Sequence, residues 1–240
     1  MSHLPGWTAC LALLLAPGTA RAAPDCIADA MLVFDGSGSM SEIGFDASAA
    51  TRIEEARIAV ARALPEIAEL RRVGLVVYGA GADSCATDLR LPPTLDAAAP
   101  IIAAVDGLRP GGLTPLAQAV EMAATALDYR REPGIVVVVT DGNETCGGRP
   151  CTLGAQLAAE AQDLTIHVIG FRVEVDFWTW DNPEQESYAN DRSVARCLAE
   201  RTGGQFVTTE TVDELVEALR ETLGCPVIGA LTSSLSRRPL

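Results

Sequence analysis

The sequence contains no lysine, so its basic side chains are arginines apart from two histidines. Without lysine, the chain has no phosphate-binding loop of the GxxxxGK[ST] type. The formal net charge is −14 at pH 7, and no stripe of arginines is visible. This charge balance argues against a nucleic-acid partner and against binding to an anionic membrane surface.

Long apolar runs are also missing. Residues 11–16 form a short apolar run near the N-terminus, whereas a membrane-spanning helix needs about 20 apolar residues. Followed by the small residues Ala20-Arg21-Ala22, this run predicts a cleaved secretory signal over residues 1–23, although the first ten residues carry no Lys or Arg. We therefore expect an exported protein, periplasmic or extracellular, with one domain over residues 25–225 and a flexible tail over residues 226–240.

The cysteines agree with export. Apart from Cys10, which lies in the predicted signal, their number is even, and an even set predicts disulfides in an oxidising compartment. The set consists of Cys26, Cys85, Cys146, Cys151, Cys197 and Cys225. Zinc ligation by Cys146 and Cys151 is the alternative, and the lack of an accompanying histidine argues against it.

Apolar strands alternate with amphipathic helices along the mature chain. Strands are predicted at residues 31–34, 73–78, 86–91, 135–140, 165–171 and 205–209. Helices are predicted after caps at Thr51 and Thr211, and at residues 96–105, 116–127, 153–161 and 194–201. Pro65 should end or kink the first helix near Leu64. This alternation predicts an α/β fold with a doubly wound, mostly parallel sheet, helices on both faces and one antiparallel edge strand at 86–91.

The first strand ends in the sequence DGSGS at residues 35–39. Its glycines allow a tight turn in which one carboxylate and two hydroxyls face the same point, a set of hard oxygens that suits Mg²⁺. A dinucleotide-binding loop would need a third glycine, which is missing here. An aspartyl-phosphate phosphatase would need a second aspartate in place of Ser37. A flexible polar turn without a ligand is the remaining alternative.

Two more segments bring oxygen ligands to the same edge of the predicted sheet. The most apolar strand, 135–140, ends at Asp141, and Thr114 lies in the loop before the preceding helix. Ligands bind at the carboxyl ends of strands in sheets of this kind. Asp35 and Asp141 both occupy such positions, so we expect them to lie close together.

Together these residues resemble the von Willebrand factor type A (VWA) domain and its metal-ion-dependent adhesion site (MIDAS). The family motif is D-x-S-x-S, then a distant Thr, then an Asp in a T-D-G or S-D-G turn. The matching positions here are Asp35, Ser37, Ser39, Thr114 and Asp141. The resemblance covers about residues 25–225, and the sequence TDGNETCGGRPC at 140–151 is similar to that of exported bacterial members.

The resemblance implies a Rossmann-like fold and a role for each matching residue. Ser37, Ser39 and Thr114 would bind the metal directly in some states, while Asp35 and Asp141 would act directly or through water. Mg²⁺ is the expected cation, with Mn²⁺ or Ca²⁺ as alternatives. With two carboxylates balancing a divalent charge, the ion stays electrophilic, and an Asp or Glu from a protein partner would complete its coordination.

On this scaffold the resemblance also suggests disulfide pairs. Cys26 precedes the first strand and Cys225 follows the last helix, so we predict that they pair at the edge away from the metal. We predict Cys146–Cys151 within one loop, which leaves Cys85–Cys197.

The long loop at residues 172–192 should lie on the metal-bearing edge, where Trp178, Trp180 and Tyr188 would form a partner surface or pack down to hold the loop.

The expected function is therefore a secreted or periplasmic binding module and not an enzyme. One alternative is an envelope assembly factor in which the metal stabilises the fold. Another is a metal-dependent hydrolase, but it would need a general base. His167 lies within a predicted strand and is interpreted as a core histidine, and Glu144 is interpreted as a solvated loop residue. Neither interpretation favours catalysis.

Overall fold

The computed structural model describes residues 26–43, 50–81, 85–173 and 194–225. The predicted signal peptide and the predicted C-terminal tail lie outside these ranges. Trp178, Trp180 and Tyr188 also lie outside them, so the surface that they were expected to form stays a prediction.

One sheet runs through the described part of the chain, and its central strands are buried on both faces. Its strands are β1 (Asp29–Asp35), β2 (Val73–Tyr78), β3 (Thr87–Thr94), β4 (Pro133–Thr140), β5 (Asp163–Phe171) and β6 (Phe206–Thr209). They are ordered β3-β2-β1-β4-β5-β6. Strand β3, an edge strand that contains Pro92 and Pro93, runs antiparallel to β2, and the other neighbouring strands are parallel. The predicted fold class is confirmed.

Helices cover both faces of the sheet. They are α1 (Arg52–Leu70), α2 (Ala98–Asp106), α3 (Leu116–Ala126), α4 (Pro150–Glu160), α5 (Val194–Arg201) and α6 (Val212–Leu223). Successive side chains of a strand point to opposite faces. Leu32 and Phe34 accordingly pack with α1, α2 and α6, while Met31 and Val33 pack with α3, α4 and α5. The sheet is therefore fixed in place by two hydrophobic cores.

The two predicted helix caps are present. Thr51 and Thr211 each accept a hydrogen bond from the main chain of a glutamate three residues on, and that glutamate bonds back to the cap residue. The predicted end of the helix at Pro65 is wrong, because α1 continues through Pro65 to Leu70. Ile67 and Ala68 lie beyond the proline and are buried in the core. Burial of these side chains stabilises the continued helix by more than the missing hydrogen bond from Pro65 costs.

The six described cysteines form disulfides Cys26–Cys225, Cys85–Cys146 and Cys151–Cys197. The first is the expected pair, with a Cα–Cα distance of 5.5 Å. The predictions of Cys146–Cys151 and Cys85–Cys197 are wrong. Cys151 lies in the first turn of α4, which packs along α5 and so places it 5.2 Å from the Cα of Cys197. Cys146 instead lies beside the segment that follows β2, where it meets Cys85.

The helices of the described ranges do not resemble membrane-spanning segments. None of them combines the length and the apolar character that a membrane crossing requires.

Candidate functional site

The candidate site lies where the order of the strands reverses. The chain passes from β1 outward to β2 and β3, and then returns to the other side of β1 with β4. Asp35 is the last residue of β1, and Asp141 directly follows β4. These parallel neighbours bring the two carboxylates to one edge of the sheet, as the sequence predicted.

Asp35 is completely buried and tightly held. Its Oδ1 accepts a hydrogen bond from the main-chain nitrogen of Ser37 at 2.7 Å. Its Oδ2 accepts from the hydroxyl of Tyr78 at 2.8 Å and from that of Thr140 at 2.7 Å. Burial, together with the charge of Asp35, raises the pKa of Tyr78 well above its usual value, so the phenol remains a donor. This network fixes the orientation of Asp35 and ties β1, β2 and β4 together.

The two serines of the DGSGS sequence connect this loop to Asp141. The Oγ atoms of Ser37 and Ser39 lie 3.1 Å apart. The hydroxyl of Ser39 donates to Oδ1 of Asp141 at 2.7 Å. Gly38–Ser41 forms a turn of 3-10 helix directly after Ser37, and this turn places the hydroxyls on the same side. Three of the predicted ligands therefore form one hydrogen-bonded row.

The loop that carries Thr114 reaches the same edge through its main chain. The nitrogen of Gly38 donates to the carbonyl oxygen of Gly112 at 2.9 Å. Thr114 is 5% exposed. Its nitrogen donates to Oγ1 of Thr145 at 2.8 Å, and its carbonyl oxygen accepts from the nitrogen of Thr145 at 3.0 Å. Thr114 is thus held between the DGSGS loop and the turn that follows β4.

The interpretation of Glu144 as a solvated loop residue is wrong. Its side chain is buried, with 3% of the residue exposed. One carboxylate oxygen accepts from the nitrogen of Ala117, in the first turn of α3, at 2.9 Å. The other accepts from the nitrogen of Cys146 at 2.7 Å. Glu144 therefore caps α3, and the first turn of a helix attracts a carboxylate because its N–H groups lack partners within the helix.

Sequence reasoning also missed Arg52 and Tyr78. Arg52 is the first residue of α1 and is 4% exposed. Its Nη1 atom lies 3.3 Å from Oδ2 of Asp141 and donates to the carbonyl oxygen of Ser39 at 3.1 Å. Both residues lie in predicted elements beside the site, but the sequence alone does not show which side chains of those elements turn toward it.

The electrostatics of the site favour a cation. Burial, reinforced by the nearby charge of Asp35, raises the pKa of Asp141 to about 7. The hydrogen bond from Ser39 and the charge of Arg52 act in the opposite direction. Two carboxylates thus lie together in a buried place where their negative charges repel each other, and positive charge stabilises such an arrangement.

The spacing of the oxygens fits a small divalent cation. Ligand oxygens of an octahedral Mg²⁺ ion lie about 2.9 Å apart along each edge of the octahedron. The separations of 3.1 Å between the serine hydroxyls and 2.7 Å between Ser39 and Asp141 are close to that value. Among the described residues, no group of three or more His, Cys, Asp or Glu side chains could hold a metal ion. The candidate set instead combines two carboxylates with three hydroxyls, and its members are Asp35, Asp141, Ser37, Ser39 and Thr114.

His167 lies on β5, opposite Val137 in the register with β4, and not at the carboxyl edge of the sheet. It is half-buried, and its Nδ1 accepts a hydrogen bond from the main-chain nitrogen of Gln205 at 3.2 Å. This contact requires an unprotonated Nδ1. Burial and the charge of Arg71 lower the pKa of His167. Its interpretation as a satisfied structural histidine agrees with these contacts.

The lowered pKa of His167 predicts a loss of stability in acid. The unfolded chain, in which the pKa is about 6.5, binds the proton more readily than the folded chain does. The contribution is therefore fully present above about pH 6.5 and is lost as the pH falls through the folded pKa, with a slope of at most about 1.4 kcal/mol per pH unit. The free energy of unfolding, measured in urea across this pH range, should fall less with acidification in His167→Asn than in the wild type. The amide oxygen of the asparagine can still accept the hydrogen bond from Gln205. Parallel curves for the two proteins would contradict this prediction.

Comparison with known proteins agrees with the observed fold. Residues 30–144 match the family model of the von Willebrand factor type A domain. The chain has a VWA fold. The uncharacterized protein YwmD of Bacillus subtilis (strain 168) is 31% identical over 113 residues, which make up 46% of this chain and 44% of YwmD. The chain thus spans less than half the length of this relative.

Solved structures share the VWA fold over most of the chain. An aerotolerance-related membrane protein from Bacteroides fragilis has a TM-score of 0.57 and 16% identity, with 82% of this chain and 98% of that chain covered. The vWF domain of the type V pili tip protein Mfa5 from Porphyromonas gingivalis has a TM-score of 0.54 and 14% identity, with 86% and 99% covered. At these identities the likeness concerns the fold.

Proposed function

We propose that this chain is an exported binding module that engages a protein partner through a divalent cation. Asp35, Ser37, Ser39, Thr114 and Asp141 would hold the ion. The observation that carries the proposal is the row of oxygens from Ser37 through Ser39 to Asp141, with separations of 3.1 and 2.7 Å. This row suits Mg²⁺, and Mn²⁺ or Ca²⁺ would use the same oxygens.

The charges of the site support a binding role over hydrolysis. When bound, the ion would supply an electrophilic position for a carboxylate. Opposite unit charges about 4 Å apart attract by about 4 kcal/mol at an effective dielectric constant near 20. His167 lies away from the carboxyl edge, and both oxygens of Glu144 already accept main-chain hydrogen bonds. Neither side chain is placed to act as a general base at the proposed site.

The comparisons and the cysteines support the proposed setting. Mfa5, a pili tip protein, and an aerotolerance-related membrane protein share the fold. Three disulfides among the described residues are typical of proteins in an oxidising compartment. We propose export to the periplasm or the exterior, where a protein partner would present an Asp or Glu side chain to the ion.

A calorimetric titration with Mg²⁺ tests the cation site. The wild type should bind saturably, while Ser37→Ala, Ser39→Ala and Asp141→Asn should each lose at least about tenfold in affinity, since each removes a ligand or a charge. Ser41→Ala is the matched control, because Ser41 belongs to the same turn but is exposed, and its hydroxyl bonds to the carbonyl oxygen of Gly38. Equal binding by all five proteins, or no binding by the wild type, would refute the site.

A peptide array tests the partner carboxylate separately. Peptides containing Asp or Glu would be compared with matched Asn or Gln versions, in Mg²⁺ and in EDTA. Binding that requires both the carboxylate and Mg²⁺ supports the proposal. Binding that survives EDTA would favour a metal that stabilises the fold and does not contribute to the contact.

A further inference from the structure

Arg52 places a permanent positive charge beside the proposed cation site. Three oxygens surround its Nη1 atom: the carbonyl oxygen of Ser39 at 3.1 Å, Oε2 of Glu42 at 3.0 Å and Oδ2 of Asp141 at 3.3 Å. The residue is 4% exposed, and its position is fixed because it opens α1 directly after the cap Thr51. The guanidinium therefore joins the DGSGS loop to the turn that follows β4.

The two oxygens of Asp141 have different partners. Oδ1 accepts from the hydroxyl of Ser39 at 2.7 Å, within the row of proposed ligands. Oδ2 lies against Arg52. Asp141 is thus oriented to offer one oxygen to a cation, while its other oxygen already faces a positive charge. Glu42 offsets little of that charge near the site, because its side chain is 62% exposed and solvent screens it.

We infer that Arg52 competes with the divalent cation for the negative charge of Asp141. This inference rests on the proposed function. In the absence of the ion, Arg52 holds Asp141 and the DGSGS loop together, so the site keeps its shape. In its presence, the guanidinium repels the ion and lowers its affinity. The ion also keeps more of its attraction for a partner's carboxylate, because Arg52 neutralises part of the charge of Asp141.

The consequence is that the site fills at a higher cation concentration than it would without Arg52. Because the protein alone holds the ion weakly, an added carboxylate from a partner should raise the affinity for the ion strongly. Binding of the partner and of the ion would then reinforce each other, since thermodynamic coupling between two ligands is reciprocal.

Neutral variants of Arg52 test this inference in the full chain. Arg52→Met should bind Mg²⁺ about tenfold more tightly than the wild type in calorimetry at about pH 8, because a repelling charge is removed. In EDTA the same variant should unfold at a lower temperature, because Oδ2 of Asp141 loses its ion pair with Arg52. Arg52→Lys, which keeps the charge, should stay close to the wild type in affinity. Arg52→Gln serves as a second neutral variant if Arg52→Met does not fold.

Arg62→Met is the matched control for net charge. Arg62 also lies on α1, but its side chain is half exposed and pairs with Asp213. Its replacement should leave Mg²⁺ affinity unchanged. If the wild type and the neutral Arg52 variants bind Mg²⁺ equally, or the variants bind more weakly, the inference is overturned while the cation site stands. If none of the proteins binds Mg²⁺, the proposed function fails and the inference fails with it.

Discussion

Replacement of both Cys26 and Cys225 by serine is expected to lower the free energy of unfolding by about 4–5 kcal/mol. The disulfide closes a loop with a sequence separation of 199 residues, and the stabilisation by a cross-link increases with the length of the loop that it closes. A loss of this size is a large part of the total stability of a typical domain, which is about 5–15 kcal/mol.

Equilibrium unfolding in urea measures this effect. Because the variant unfolds to a less restricted chain, its dependence on urea should also become steeper. The double serine variant is preferable to a reducing agent, since it leaves Cys85–Cys146 and Cys151–Cys197 in place. A loss below about 1 kcal/mol would mean that the unfolded chain remains compact without the cross-link, contrary to the prediction.

Replacement of Glu144 by alanine is expected to cost about 3 kcal/mol. The buried carboxylate accepts hydrogen bonds from the partly buried nitrogens of Ala117 and Cys146. Its removal leaves two donors without this acceptor, at about 1–3 kcal/mol each. Glu144→Gln keeps one acceptor oxygen and should lose about half as much. Thermal or urea unfolding gives both values.

Glu121→Ala is the control for this series. Glu121 lies on α3, the helix that Glu144 caps, but it is exposed. Its replacement should change the free energy of unfolding by no more than about 0.5 kcal/mol. Similar losses for Glu121→Ala and Glu144→Ala would show that the buried carboxylate has no special role in holding α3.

Much of the fold follows from local patterns in the sequence. The strand that became β4 is an uninterrupted apolar run, and such a run belongs at the centre of a parallel sheet. The caps at Thr51 and Thr211 depend on residues three positions apart, so they can be found without a structure. Asp35 and Asp141 were placed correctly because the end of an apolar strand marks the carboxyl edge of the sheet.

The sequence could not show contacts that depend on which loops become neighbours. Cys146 pairs with Cys85 and not with the nearby Cys151, because the first turn of α4 carries Cys151 toward α5. Glu144 is a polar residue in a loop, and only the approach of α3 makes it a buried cap. Pro65 shows the same limit, since burial of its helix outweighed a local preference.

The edges of the sheet have a consequence for how molecules of this protein meet each other. An unpaired edge strand offers N–H and C=O groups on which a second molecule can add a strand. On β3, Pro92 and Pro93 lack that N–H, and Asp88 and Arg90 add exposed charges. On the opposite side, β6 is only four residues long. Strand-by-strand polymerisation through the described sheet is therefore disfavoured at both of its edges.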